Sequence, residues 1–446
     1  YDIKDSLPAD LDFGGRGFTF FIANSANQND FMGGVGEETG EIVSDAVYRR
    51  NLNDEERLGV KLDYYADSSV NGSNTADEFT RLIMSGDSAY DVFTGYQYAI
   101  TKLMNVGGMV RMEDLDRLDL EKPWWWKNYM KELTLRDDKH FFLIGDFFFH
   151  SLRMTRAMYY NKVLYGNYYD NPDGLYDFVL SGDWTFDKMI AYAKSVFIDY
   201  NNDGVTDSED QLGFISWGKA SCVDPFIYSA DIDFCIHESA ETVELNLINE
   251  KAVDHIERVK EFFYQEGSYS NVNSNDELYG PWKAGRVLFL GNGSLNTPTV
   301  LRDMECEFGI LPYPKMDDKQ ENYITLVSED ACPCVVSVCS LNLDIAGTVL
   351  EALGAETYRT LLPVWYEEAL KVKYSRDDLS SQMLDIIHDN LHTNFIYAFT
   401  GMLENIGFEF RTIVSENADY VSHMEKKVKI ITKKLDKLNE MFDNDN

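Results

Sequence analysis

The densest chemistry in the sequence is the run Asp199-Tyr200-Asn201-Asn202-Asp203-Gly204-Val205-Thr206-Asp207-Ser208-Glu209-Asp210. Side-chain oxygens alternate at Asp199, Asn201 and Asp203, Gly204 permits a sharp turn, and Val205 offers a carbonyl before Asp207 and Asp210. This is, position by position, the twelve-residue calcium loop, which gathers about six to eight oxygens on one hard cation. Its carboxylates would repel one another without a cation. The last position is Asp rather than the Glu of calcium sensors, so closure needs a nearer backbone, as in the dockerin-like variant. There is one such loop and no partner loop. The expectation is a structural Ca2+ on Asp199, Asn201, Asp203, Val205, Asp207 and Asp210 in a calcium-rich extracellular setting. The plain alternative is an acidic turn.

Other reactive constellations are thin. No GxSxG, HExxH or GxxxxGK[ST] occurs, so nucleophile-elbow, zincin and P-loop chemistry have no support. Gly33-Gly34-Val35-Gly36 follows a strand-like run but leads into Glu37-Glu38, which repels phosphate. His388 and His392 are four apart without a third ligand nearby and read as a solvent-facing pair on a helix. Cys332-Pro333-Cys334 has no second pair at zinc spacing, and six cysteines are sparse for a disulfide scaffold of this length. Buried thiols and a disulfide both stay open. No pair of carboxylates is singled out by spacing for glycosidase chemistry. The aromatic content is high, with 27 Tyr, 27 Phe and 7 Trp. Aromatic faces pack on the C–H faces of sugar rings, so sugar sites are rich in them, although most of these rings must serve the core. Trp124-Trp125-Trp126, after Lys122-Pro123, reads as packing against a lobe.

The elements that would position such groups follow from composition and periodicity. At 446 residues, and roughly 100–200 per domain, the chain suggests two or three domains with real cores. A net charge of −36 works against nucleic acid and against anionic lipid. No stretch approaches the ~18 apolar residues of a membrane span. The chain opens at Tyr1-Asp2-Ile3-Lys4 without initiator Met or signal-peptide pattern, as expected of a processed chain whose export signal or lipid anchor has been removed. Residues 18–23 predict a buried strand, 45–58 a helix stopped by Gly59, 60–66 a strand, 75–84 a helix and 90–96 a third strand. That alternation implies a parallel sheet wrapped by helices, with ligand beyond the strands' carboxyl ends. Further on, 185–197 predicts an amphipathic helix, and 286–290, 307–311 and 333–338 predict strands. A last helix, 424–442, has Val428, Ile431, Leu435, Leu438 and Phe442 on one face and six lysines elsewhere. In a chain this acidic those lysines read as offsetting the global field. With neither repeat nor long linker, two lobes would be interwoven.

Several segments together resemble the extracellular solute-binding proteins of ABC importers, in the sugar-binding, maltose-binding-protein-like family. Residues 75–92 resemble that family's helix, SGD turn and strand, and Gly107-Gly108-Met109-Val110 with Asp114-Leu115 resembles its continuation. Tyr160-Asn161-Lys162-Val163-Leu164, with Gly182-Asp183-Trp184-Thr185-Phe186-Asp187 downstream, resembles the passage after the first hinge. Trp282 to Phe289 and Phe308-Gly309-Ile310-Leu311-Pro312-Tyr313-Pro314 resemble the stretches before and at the second crossing. The pieces run in order from about residue 15 to about 370.

The resemblance implies an α/β, two-lobed periplasmic-binding-protein-like fold with crossing strands at the hinge. Lobe one would be 1–147 plus 312–360, and lobe two 148–311 plus 361–446. It implies a non-catalytic protein that captures a carbohydrate, an oligosaccharide, and delivers it to ABC permease subunits. It further implies a monomer and a cell-surface lipoprotein of a Gram-positive bacterium. Strand ends and crossings nominate Asn24, Tyr96, Tyr98, Phe148, His150, Arg153, Trp217, Asn292, Glu329 and Asp330 as ligand contacts. Aromatics would stack on rings, and the polar groups would bond hydroxyls. Arg153 could instead pair an acidic sugar or a hinge carboxylate. The readings from other classes are a secreted, calcium-stabilised glycoside hydrolase or lyase, and a receptor-type sensor on the same fold.

Overall fold

Two clusters of β-branched and aromatic runs build two separate sheets. The structure, a computed structural model, describes residues 1–23, 28–34, 36–136, 139–218, 220–239, 242–301, 306–371 and 378–443. In the first sheet β1 (Arg16–Ala23) pairs in parallel with β2 (Val60–Asp67) and β3 (Val92–Thr94). Phe18 lies opposite Leu62, and Phe20 opposite Val92. The helix Ile42–Leu58 joins β1 to β2. Its N-terminus is capped by the Glu41 carboxylate, and Gly59 at φ 58° ends it. The helix Thr75–Ser85 buries Phe79, Leu82 and Ile83 and stops at Gly86, also left-handed. These left-handed positions suit glycine because it lacks a Cβ. The third strand covers only part of the expected 90–96.

The second sheet has the order β10-β4-β9-β5-β8. Here β4 (Met158–Asn161) runs antiparallel to β9 (Val287–Leu290) and β10 (Phe308–Leu311). Strand β5 (Leu212–Trp217) runs parallel to β9 and to β8 (Ser268–Val272). A hairpin of β6 (Cys235–Ser239) and β7 (Thr242–Leu245) stands apart, against the helix Tyr420–Asp443. That helix buries Ile431, Leu435, Leu438 and Phe442, while Lys427 and Lys434 reach Glu409 and Glu404 at 2.7 and 3.1 Å.

The chain crosses between the sheets more than once. Thr155 bridges Val327 just before β4, and Arg156 bridges Ser294. The return leads through β11 (Thr325–Leu326) to β12 (Cys334–Val336), which joins the first sheet antiparallel to β3. A further passage places β13 (Leu391–His392) in parallel beside β11. The helix Leu343–Glu356 lies on Ile42–Leu58, and so does Leu362–Lys371. The helix Asp378–Asp389 packs against β10.

Trp124, Trp125 and Trp126 are core residues. The Trp125 and Trp126 indole N–H groups donate to Glu351 at 3.1 Å and to Asp146 at 2.8 Å. All six cysteines are free. The two histidines depart from expectation. His392 lies beyond the helix, in β13, and His388 is buried with its Nε2 2.8 Å from the Asp146 carboxylate. Burial alone would discharge the His388 ring, but Asp146 outweighs it and holds the imidazolium up to about 10. A folded-state value above the unfolded one stabilises the protonated form. The pair's contribution is thus complete below about pH 6.5 and is lost as pH rises through about 10. Denaturant unfolding of the protein and of His388→Gln should show stabilities that converge across that window. A constant difference would contradict the pairing.

Candidate functional site

At the junction of the sheets a fully buried carboxylate organises three remote segments. Asp224 opens the short helix Asp224–Tyr228, which Pro225 starts. Arg411, from the helix Glu409–Ser415, donates to Asp224 from Nε at 2.9 Å and also from Nη2. The same Nη2 reaches Glu329 at 2.7 Å. The Tyr397 hydroxyl bridges both acids, 3.0 Å from Asp224 and 2.7 Å from Glu329. Burial pushes the Asp224 carboxyl up to about 6 even with Arg411 beside it. Burial also opposes the Glu329 charge, yet Arg411 and Arg156 outweigh it and hold that carboxyl below its usual range. The Arg411 guanidinium lies 4.1 Å over the Phe408 ring, within cation–π range.

Beside this network Arg153 connects the two sheets. Its Nη1 donates to Asp30 at 2.6 Å, and its Nε and Nη2 donate to the Asn296 amide oxygen at 3.1 and 2.8 Å. The His150 ring stands 3.5 Å from Asp30. Arg153 thus pairs a carboxylate, one of the options its sequence position raised.

Tyr96 and Tyr98 follow β3, with ring centroids 5.7 Å apart and Phe408 edge-on to Tyr98. Buried Gln97 fastens this turn to the crossing segment. Its backbone N–H donates to the Ala331 carbonyl at 2.8 Å, and its side-chain oxygen accepts from Tyr129 and Thr393. Tyr96 bonds Asp330, whose carboxyl is raised by burial and by Glu329, against the pull of Arg156 and His150. Arg156 is nine-tenths buried. Its Nη1 makes a long 3.5 Å contact with Asn292, which adopts a left-handed φ of 59°.

Of the residues nominated from sequence, Tyr96, Tyr98, His150, Arg153, Asn292, Glu329 and Asp330 meet in this junction. Trp217 ends β5 after a register shift against β8 and is half-buried. Phe148 is fully buried among Phe31 and Phe147 and offers no surface to a ligand, because the crossing packs it inward. Asn24 lies outside the described residues. Sequence reasoning missed Asp30, Arg156, Asp224, Asn296, Tyr397 and Arg411. No local spacing marks them, since their partners are far along the chain.

The loop 199–210 turns at Asn202 and Gly204, both left-handed. The Asp199 carboxylate accepts from the Asn202 and Gly204 N–H groups at 2.7 and 2.9 Å. Buried Asp210 accepts from Tyr200 and Asp207 at 3.2 and 3.1 Å. The donor set suits a hard cation, but these acids cap backbone N–H groups. Among the described residues no three of His, Cys, Asp and Glu are arranged to hold one ion. A separate cavity of about 260 Å3 lies beside β13, between Glu132, Tyr228, Cys235 and His392. None of the nominated residues lines it.

No family model matches the sequence, and no curated protein matches it. Solved structures do match. A cyclo/maltodextrin-binding protein complexed with maltotetraose is 14% identical and aligns over 96% of this chain and 97% of its own, with a TM-score of 0.57. An ABC transporter solute-binding protein from Thermotoga lettingae TMO, bound with α-D-tagatose, is 12% identical over 95% and 100%, with a TM-score of 0.54. The fold is that of the two-lobed solute-binding proteins.

Removing the cation should expose how much this junction carries. Arg411→Met leaves two acids without their counter-charge and should lower unfolding free energy by about 3–5 kcal/mol. Tyr397→Phe, which removes one hydroxyl, should cost about 1–3 kcal/mol. Equal, small effects in urea unfolding would contradict the network.

Proposed function

We propose that the chain is the binding component of an ABC importer, capturing a carbohydrate between its lobes and passing it unaltered to permease subunits. The observation that carries this reading is the composition of the junction. Half-buried tyrosine faces at 96 and 98 stand beside charged groups of both signs. Sugars ask for that combination, with apolar faces to stack on and fixed donors and acceptors for hydroxyls. The fold supports it, since the two solute-binding structures it resembles hold maltotetraose and tagatose. Tyr96, Tyr98, Trp217, Asn292, Glu329 and Asp330 are the proposed contacts, with Arg153 and His150 at the edge.

A hydrolase needs an accessible acid held protonated near its working pH. Asp224 is inaccessible and Glu329 is pinned by Arg411, so neither supplies such an acid. The reading places the protein outside the cell, as a monomeric, lipid-anchored component at a Gram-positive surface. An oligosaccharide is the proposed cargo, in keeping with the maltotetraose held by one of the two structures.

Calcium belongs to the same proposal. The ordered oxygens of Asp199, Asn201, Asp203, Asp207 and Asp210, the Val205 carbonyl and the turn at Gly204 support a structural ion. Loading would draw the acids from the backbone N–H groups they now cap.

Calorimetric titration with a panel of neutral oligosaccharides, followed by chromatography of the recovered sugar, tests the capture reading. One glycan should bind in the micromolar range or tighter and return intact, and consumption at catalytic protein concentration would overturn it. Separately, Ca2+ should raise Tm in the protein and EDTA should lower it, with both effects absent in Asp203→Ala. A Tm indifferent to both additions would remove calcium from the account.

A further inference from the structure

The charges at the junction are not equally available to a ligand. Arg411 is taken by Asp224 and Glu329, and Arg153 by Asp30 and Asn296. Arg156 differs. It is nine-tenths buried, its guanidinium makes only a long 3.5 Å contact with Asn292 among the described residues, and its Nε has no hydrogen-bond partner among them. A buried donor left unmade costs about 1–3 kcal/mol, more when charged, so an acceptor supplied there recovers that loss on binding. Asp330 is the complementary case. The Tyr96 hydroxyl bonds its carboxyl, and the Arg156 and His150 charges bear on it.

We infer that Arg156 and Asp330 together form the specificity point of the site, holding two adjacent hydroxyls of a neutral sugar and rejecting acidic sugars. This rests on the capture reading above. One hydroxyl accepts from the Arg156 guanidinium while its neighbour donates to the Asp330 carboxylate. A vicinal diol presents that donor–acceptor pair at fixed spacing. A ligand carboxylate would meet a different field. The other two guanidiniums are already matched by acids, and Glu329, Asp330 and Asp224 all face Arg156 or its surroundings. Three acids surround the single Arg156 guanidinium, so like-charge repulsion selects against an anion. The ring faces of Tyr96 and Tyr98 beside Asp330 then bear on the sugar's C–H face.

The test is calorimetry on the whole chain and on Asp330→Asn and Arg156→Met, with melting curves checking that each variant folds. The probes are maltotetraose, cellotetraose and mannotetraose as neutral glycans, and trigalacturonate as the acidic one. The expected result is binding of a neutral glycan, weakened about tenfold or more by either substitution, as loss of a charged hydrogen bond implies. Asp330 is less buried than Arg156, so its variant keeps the test informative if Arg156→Met does not fold. Tighter binding of trigalacturonate would overturn the inference and leave carbohydrate capture standing. Undiminished neutral binding by folded Asp330→Asn would overturn the assignment of the pair. Binding of none of the four probes would count against both the inference and the capture reading.

Discussion

Full burial of the Asp224 carboxylate is the constraint around which the lobe junction is arranged. An isolated buried carboxylate costs several kcal/mol, and a hydrogen-bonded cation offsets that cost. Arg411 supplies it, 187 residues further along the chain. To reach Asp224 the C-terminal segment must come back to the junction, bringing Tyr397 and Phe408 with it. The same guanidinium fixes Glu329 and therefore the backbone that presents Asp330. One charge pair thus determines which polar groups at the junction are immobile and which remain for a ligand.

The two sheets give that pair its setting. Each is closed over by helices, and the links between them are narrow. Among the described residues they include the isolated bridge from Thr155 to Val327, the two-residue pairing of β11 with β13, and the Arg153 contacts to Asp30 and Asn296. Because the crossing segments also carry Arg156, Glu329 and Asp330, a change in lobe spacing would move the polar groups at the junction together. A ligand touching both sides would then stabilise the arrangement that brings them closest.

Much of this architecture was legible in the sequence where the signal is local. Aromatic and β-branched runs marked β1, β2, β9 and β10, and Gly59 marked a helix end. The alternation of strand and helix announced the parallel sheet. Of the groups gathered at the junction, those at strand ends and crossings, among them Tyr96, Tyr98, Asn292, Glu329 and Asp330, were nominated from sequence. Arg411, Tyr397 and Asp224 gave no signal because their meaning lies in partners on distant segments. His388 misled for the same reason, since the acid that charges it is 242 residues away. Phe148 misled because an aromatic residue at a crossing reads the same whether it faces ligand or core. The packing of Leu362–Lys371 on the first lobe was likewise invisible, as an amphipathic helix does not name the surface it covers.

The central claim is that ligand lies between the lobes, on groups drawn from both sheets. Hydrogen–deuterium exchange of the whole chain, with and without a bound neutral glycan, tests it most directly. The account predicts simultaneous protection of residues 96–98, 153–156, 292–296 and 328–331, with the cavity beside β13 unchanged. Protection confined to one sheet, or centred on residues 128–132 and 392–395, would contradict it.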